Sequence, residues 1–97
     1  MATYILLLRY TQQGIANVKE SANRLDAAKK FFKSMGAKIK QTFLVQGQYD
    51  LVVVAEAPDD ETIAKVMLAT GSLGNVRTET LRAFTEDEYR KIIAGLP

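Results

Sequence analysis

The side chains that could support chemistry in this chain are carboxylates, amines, guanidinium groups and hydroxyls, because its 97 residues include no histidine and no cysteine. Disulfide bonds, thiolate catalysis and zinc-finger ligation are therefore excluded. Histidine is also the commonest general acid or base and the commonest metal ligand. We expect no metal and no cofactor, and any catalysis would rest on Asp, Glu, Lys, Tyr, Ser or Thr.

Tyr49 and Asp50 are the first candidates, since they follow Gly47 and open an apolar run. Tyr49 is either a proton donor in a cavity or an amphipathic ring that packs at the mouth of a hairpin. Asp50 is either a general base whose pKa an apolar wall raises, or an acceptor of backbone N–H groups that pins the hairpin. Neighbours on a strand point to opposite faces, so we do not expect a catalytic pair.

A second group of candidates lies on the last predicted strand, where Arg77 and Glu79 share one face. They form either a surface ion pair of little energetic value or a site at which Arg77 binds an anionic ligand at a sheet edge. Arg9 and Tyr10 end the first predicted strand, which is expected to be its neighbour. They would then belong to the same ligand-binding mouth.

The elements that must position these residues follow from the apolar pattern. Strands are predicted over residues 3–9, 37–45, 49–56 and 75–84. Apolar residues recur at steps of three and four from Val18 to Met35, which predicts a helix that Gly36 ends. Asn17, with Glu20 three residues later, or Ser21 is expected to cap this helix.

Two further helices have clear start signals. Asp59 is expected to cap a helix whose first turn is acidic. Thr85 and Glu88 have the spacing of a full capping box. The short terminal helix that follows has an apolar face made of Tyr89, Ile92, Ile93 and Leu96.

The order β-α-β-β-α-β with a terminal helix predicts an α+β fold of the ferredoxin-like kind, with an antiparallel four-stranded sheet. The expected strand order is 4-1-3-2. The first and third strands are the most apolar, as central strands should be, and the second and fourth carry polar residues typical of edges. In the second strand, alternation assigns Ile39, Phe43 and Val45 to one face.

Both faces of the two central strands are apolar over residues 5–8 and 51–54. Two helices cover only one face of such a sheet, and the other face is normally polar where it meets water. An uncovered apolar face is a partner-binding surface, and the simplest partner is a second copy related by a two-fold axis. We therefore predict a homodimer in which the sheets face each other.

Composition agrees with one globular domain over residues 1–97, since 47% of residues are hydrophobic and 25% are charged. The net charge is only +2, and the lysines between residues 29 and 40 form the one basic cluster, in which Phe32 belongs to the apolar face of the predicted helix. We interpret the cluster as a solvated face and expect no nucleic-acid partner. No signal peptide or bilayer-spanning run is apparent, so we expect a cytoplasmic protein with no membrane partner.

The segment 47–51 (GQYDL) resembles the signature of the GYD-domain family of small prokaryotic proteins. Similarity also covers residues 4–7, 14–15, 57–61 and 71–84, so it extends almost end to end. The resemblance implies a protomer of the dimeric α/β-barrel superfamily and little about activity. The same hairpin resembles one in the effector domains of leucine-responsive transcription regulators, whose helix-turn-helix this chain lacks. Some members of the superfamily are haem enzymes, but the axial histidine that haem normally needs is absent.

Three functions remain open. The first is a self-associating α/β-barrel module that binds a small metabolite or a partner protein without catalysis. The second is a cofactor-free enzyme of oxygenase or isomerase type, acting on a small apolar enolisable compound, with Tyr49, Asp50, Arg77 and Glu79 as the first residues to test. The third is a structural oligomer that assembles through the second strand and the terminal helix. We favour the first, with a homodimer or higher homo-oligomer and a small-molecule ligand as partners.

Overall fold

The computed structural model describes the whole chain, residues 1–97, as a four-stranded antiparallel sheet with four helices. The strands are β1 (Ala2–Tyr10), β2 (Lys38–Leu44), β3 (Leu51–Ala57) and β4 (Val76–Ala83). The helices are α1 (Gln12–Ala16), α2 (Ser21–Ser34), α3 (Asp60–Ser72) and α4 (Glu86–Ala94), with a 3₁₀ turn at Val18–Glu20. The spatial order is β2-β3-β1-β4, which confirms the α+β, ferredoxin-like arrangement with a terminal helix.

One face of the sheet forms the core with α2 and α3. Along β1 the buried residues alternate, and along β3 they alternate in the matching register, with Leu6 opposite Val53. Phe32 of α2 and Val66 of α3 pack against this face and are 2% and 0% exposed. Tyr4 is buried with them, and its hydroxyl donates to Asp60 Oδ1 at 2.6 Å. Burial and this carboxylate raise the pKa of Tyr4 to about 12.

The opposite face of the sheet has no helix on it, and we call it the open face. Its centre is formed by half-buried aliphatic residues of the two central strands and by exposed apolar residues of the edge strands. The open-face residues are Ile5, Leu7, Phe43, Val52, Val54 and Leu81. Phe43 is 50% exposed and Leu81 is 47% exposed. The chain therefore leaves one apolar sheet face uncovered, as its sequence predicted.

A β-bulge makes the predicted face assignment of β2 wrong. The register with β3 shifts between Ile39 and Gln41, so that Ile39 pairs with Ala55 and Phe43 pairs with Val52. The extra residue moves everything after it to the other face. Ile39 consequently packs against the core, whereas Phe43 lies on the open face. Simple alternation had placed the two on the same face.

The predicted caps for the helix over residues 18–35, which corresponds to α2, are also wrong, because Glu20 is its N-cap residue and makes no side-chain capping bond. The chain already becomes helical directly after β1, at Gln12, and Thr11 caps α1, with its hydroxyl accepting from the Gly14 backbone N–H at 3.0 Å. Asn17 makes no side-chain capping bond, and the Ser21 hydroxyl is hydrogen-bonded to Tyr10 Oη at 2.8 Å. A short helix and a 3₁₀ turn therefore precede α2, and the sequence pattern had predicted neither.

Thr11 also joins α1 to the turn between α3 and β4. Its hydroxyl donates to Gly74 O at 2.6 Å, and its backbone N–H donates to Asn75 O at 3.1 Å. This contact brings Gly14 so close to Asn75 that a Cβ at Gly14 would lie 1.9 Å from Asn75 O. Only a residue without a side chain fits there.

The other two helix starts are as predicted. Asp59 accepts from the Thr62 backbone N–H at 2.8 Å, and hydrogen bonding from the side chain and backbone of Thr62 lowers the pKa of Asp59. Thr85 and Glu88 form the full capping box, with distances of 3.2 and 2.8 Å, and the bond from the Thr85 backbone N–H lowers the pKa of Glu88.

The terminal helix α4 stands apart from the rest of the fold, and none of its residues is buried. Its apolar residues, which we call the α4 stripe, are 47% to 62% exposed; they are Tyr89, Ile92, Ile93 and Leu96. The radius of gyration is 14.5 Å, compared with about 12.5 Å for a compact chain of this length. The protomer therefore carries a second uncovered apolar surface. No helix of the chain has the length and apolarity needed to cross a membrane.

We expect Gly14→Ala to lower the free energy of unfolding by about 2 to 3 kcal/mol, because the new methyl group collides with the backbone of Asn75. Gly71→Ala in α3 is the matched control. Its Cβ meets nothing within 4 Å, so it should raise the free energy of unfolding by about 0.5 to 1 kcal/mol through better helix propensity. Urea denaturation followed by circular dichroism measures both. Equal effects of the two substitutions would contradict the close approach.

Candidate functional site

The connection between β2 and β3 places the predicted site residues at one end of the sheet. Gly47 adopts a φ of 135°, a conformation that few residues with a side chain tolerate. Val45 N–H donates to Asp50 O, and Asp50 N–H donates to Leu8 O, both at 2.9 Å. The connection is therefore hydrogen-bonded to β1. The strand itself begins only at Leu51, two residues later than the sequence predicted, so Tyr49 and Asp50 belong to the connection.

Tyr49 lies over the open face, where its side chain contacts Glu79 of β4 and Arg9 of β1. Its hydroxyl is 3.1 Å from each carboxylate oxygen of Glu79 and donates to them. The guanidinium of Arg9 lies 4.6 Å from the centre of its ring, and Arg9 Nε donates to Gln48 O at 2.7 Å. The hydrogen bond to Glu79 raises the pKa of Tyr49, and desolvation and the Glu79 charge act in the same direction.

Arg77 lies next to this cluster, directly across from Arg9 in the register of β1 and β4. The ion pair between Arg77 and Glu79, one of the two alternatives that the sequence left open, is absent: no carboxylate oxygen lies within 4.0 Å of the Arg77 guanidinium. Glu79 instead accepts from Tyr49. Arg77 is thus an exposed arginine whose charge no side chain of this chain neutralises at short range.

These side chains border a groove of about 200 Å³ at the end of the open face. Its lining residues are Leu7, Arg9, Tyr49, Arg77, Thr78 and Glu79. Four of the six predicted site residues are therefore brought together. Leu7 and Thr78 were missed, although alternation back from Arg9 identifies Leu7 as a residue of the same face. No sequence pattern indicates that the backbone carbonyl of Gln48 accepts a hydrogen bond from Arg9.

Asp50 and Tyr10 are not in the groove. Asp50 Oδ2 accepts from the Tyr10 backbone N–H at 2.8 Å, which ties the connection to the end of β1. This contact is the pinning role that the sequence offered as one alternative for Asp50. The side chain of Tyr10 points to the helix-covered face and bonds to Ser21. Tyr49 and Asp50 thus act separately, as expected.

The arrangement favours binding of an anion over acid–base chemistry. A tyrosine is protonated at neutral pH even at its ordinary pKa. The contact with Glu79 raises the pKa of Tyr49 further, and the Glu79 carboxylate is exposed to water. No group of three or more carboxylates is close enough together to hold a metal ion. A larger depression of about 290 Å³ on α4 is lined by Tyr89, Arg90, Ile93 and Ala94 and lacks any cluster of reactive groups.

We expect Glu79→Gln to lower the pKa of Tyr49 towards its ordinary value, because the substitution replaces the hydrogen bond to a carboxylate by a weaker one and removes the negative charge that opposes the phenolate. Carbon-detected NMR of the tyrosine ζ position during alkaline titration measures this, with Tyr49→Phe assigning the signal. Glu61→Gln, which removes an exposed carboxylate paired with Lys65 on α3, is the control and should leave the titration of Tyr49 unchanged. An unchanged pKa in Glu79→Gln would contradict the contact.

Comparison with known proteins places the chain among proteins of similar sequence and shape. It is 33% identical over 84 residues to the glutamine synthetase and cystathionine beta-lyase binding protein of Thermus thermophilus, covering 86% of this chain and 88% of that protein. It also resembles a protein of solved structure from Thermus thermophilus, with 30% identity, a TM-score of 0.56, and coverage of 88% of this chain and 95% of the other.

A hypothetical protein from Pyrococcus horikoshii shares the fold, with a TM-score of 0.55, 19% identity, and coverage of 89% of this chain and 93% of the other. The sequence also matches the GYD domain over residues 4–93, which include both the hairpin with Tyr49 and the strand with Arg77. The chain therefore belongs to the GYD-domain family.

Proposed function

We propose that this protein is a non-catalytic protein-binding module that works as a homodimer of the α/β-barrel type. The observation that carries the proposal is the open face. Its apolar centre is continuous across the four strands, and charged residues lie at its ends. Arg9 and Arg77 are at one end, and Lys38 and Glu56 are at the other. An apolar centre with a polar rim is typical of protein interfaces.

Burial of the open face would favour association. A fully buried apolar side chain contributes about 1.5 to 3 kcal/mol relative to an exposed one. The six open-face residues are now only partly buried or exposed, so each would gain a fraction of that value on burial. Two copies contribute twelve such side chains, and their combined burial opposes the loss of translational and rotational freedom on association.

The α4 stripe supports a second copy as the occupant of this face. Each chain has one apolar sheet face without a cover and one apolar helix stripe without a surface to pack on. A two-fold axis provides each element with a partner from the other copy, and the assembly then closes without further growth. We propose that the α4 stripe and the open face belong to the same self-association surface.

A role in binding another protein is supported by the name of the Thermus thermophilus relative, which describes it as a protein that binds glutamine synthetase and cystathionine beta-lyase. We propose that the dimer of the present chain likewise binds a metabolic enzyme. This function needs surfaces and no reacting groups, in agreement with the contacts of Tyr49 and Asp50, both of which are used to hold the hairpin. The enzyme alternative has less support for that reason.

We expect the wild-type protein to be a dimer at micromolar concentration, and Val52→Glu to be monomeric there. A carboxylate at the centre of the interface would be buried without a partner and would raise the dissociation constant at least about a hundredfold. Sedimentation equilibrium measures both states. Leu68→Glu is the matched control, because Leu68 is a 76% exposed apolar residue on α3, away from the open face.

The self-association proposal fails if the wild type sediments as a monomer, or if Leu68→Glu and Val52→Glu weaken association equally. Circular dichroism of the Val52→Glu variant shows whether the protomer keeps its fold. If Val52→Glu is folded and monomeric, its loss of self-association is due to the changed interface and not to unfolding.

We also expect wild-type protein to bind immobilised glutamine synthetase or cystathionine beta-lyase from the same genome, with a saturable response in surface plasmon resonance. The folded Val52→Glu monomer should bind more weakly, since the proposed binding unit is the dimer. Serum albumin on the reference surface accounts for adsorption. Absence of binding to both enzymes by an intact dimer would refute the partner class and leave the self-association untouched.

A further inference from the structure

Arg9 and Arg77 form a pair of like charges at the mouth of the groove. They are direct cross-strand partners in the register of β1 and β4, and both point to the open face. Directly opposed residues of an antiparallel pair have Cβ atoms about 4.5 to 5.5 Å apart, and like charges in this position repel each other. The fold holds both arginines there without an ion pair to either of them shorter than 4.0 Å.

The acidic residue of the groove compensates only part of this charge. The lining contains two arginines and one glutamate, which leaves a net charge of +1. Both oxygens of Glu79 accept from the hydroxyl of Tyr49. The side chain of Arg77 takes part in none of the hydrogen bonds or ion pairs of the chain, so its guanidinium donors are free.

Arg9 is held in position for binding. Its Nε is fixed by Gln48 O at 2.7 Å, and its planar group lies on the ring of Tyr49. The two terminal nitrogens make no bond within the protein and point their donors into the groove or the solvent. An arginine fixed in this way loses little conformational entropy when it binds a planar or tetrahedral anion.

We propose that the groove binds a small anion whose carboxylate or phosphate group bridges Arg9 and Arg77. The oxygen atoms of such a group match the paired donors of a guanidinium. Leu7 supplies an apolar floor beside the charges, and the volume of about 200 Å³ suits a compact molecule with a short apolar part. The lining residues all belong to one chain, so the proposal does not depend on the proposed partner enzymes. Because Leu7 is also an open-face residue, the groove borders the proposed dimer interface.

The test is an NMR titration of the arginine Nε–H signals at constant ionic strength. Inorganic phosphate and propionate are the two probes, and they distinguish a phosphate ligand from a carboxylate with a short apolar tail. We expect at least one of them to shift the Arg9 and Arg77 signals saturably. Arg77→Gln should weaken that binding at least about tenfold. Arg90→Gln is the control, because Arg90 is an exposed arginine paired with Glu86 on α4.

Three results would overturn the proposal. The first is a shift that rises linearly with both probes, which indicates general salt effects only. The second is equal affinity of the wild type, Arg77→Gln and Arg90→Gln. The third is that neither probe binds the wild type saturably, while Arg77→Gln no longer forms a dimer. The two arginines would then contact a carboxylate of the second copy and not a small anion.

Discussion

The structure depends on the position of β1 between β3 and β4. This strand is hydrogen-bonded to β3 along one edge and to β4 along the other. Its register therefore determines which residues are cross-strand neighbours on each face of the sheet. It sets Leu6 opposite Val53 in the core and Arg9 opposite Arg77 on the open face. A slip by one residue would exchange the two faces, so the burial of Leu6 and Tyr4 also fixes the arrangement of the groove.

Much of this architecture can be predicted from the sequence, because it follows from the spacing of apolar residues and from helix-capping residues. The four strands, their order, the uncovered apolar face and the caps at Asp59 and Thr85 were all predicted. The bulge in β2 was not, since an inserted residue leaves the composition of the strand unchanged and appears only when the pairing with β3 is known. The helix after Thr11 was missed because its stability comes from contacts with Gly74 and Asn75, more than sixty residues away.

The sequence predicted most of the residues of the candidate site, but not the contacts that they make with each other. Alternation correctly placed Arg77 and Glu79 on one face of β4. It did not show that Glu79 would accept from Tyr49 and leave Arg77 unpaired, because this depends on how far the hairpin extends across the open face. Tyr10 was assigned to the mouth from its place in the chain, yet its side chain belongs to the other face and bonds to Ser21.

The bulge at Lys40 has a consequence for unwanted polymerisation. A sheet grows into a filament only when each molecule offers two regular edges, one for each neighbour. Here the β4 edge is regular along Val76–Ala83, whereas the β2 edge is interrupted between Ile39 and Gln41 and carries two lysines. Edge-to-edge contact between copies would therefore stop at a pair of β4 strands. Removing the bulge would create a second regular edge and make open-ended fibres accessible to this small protein.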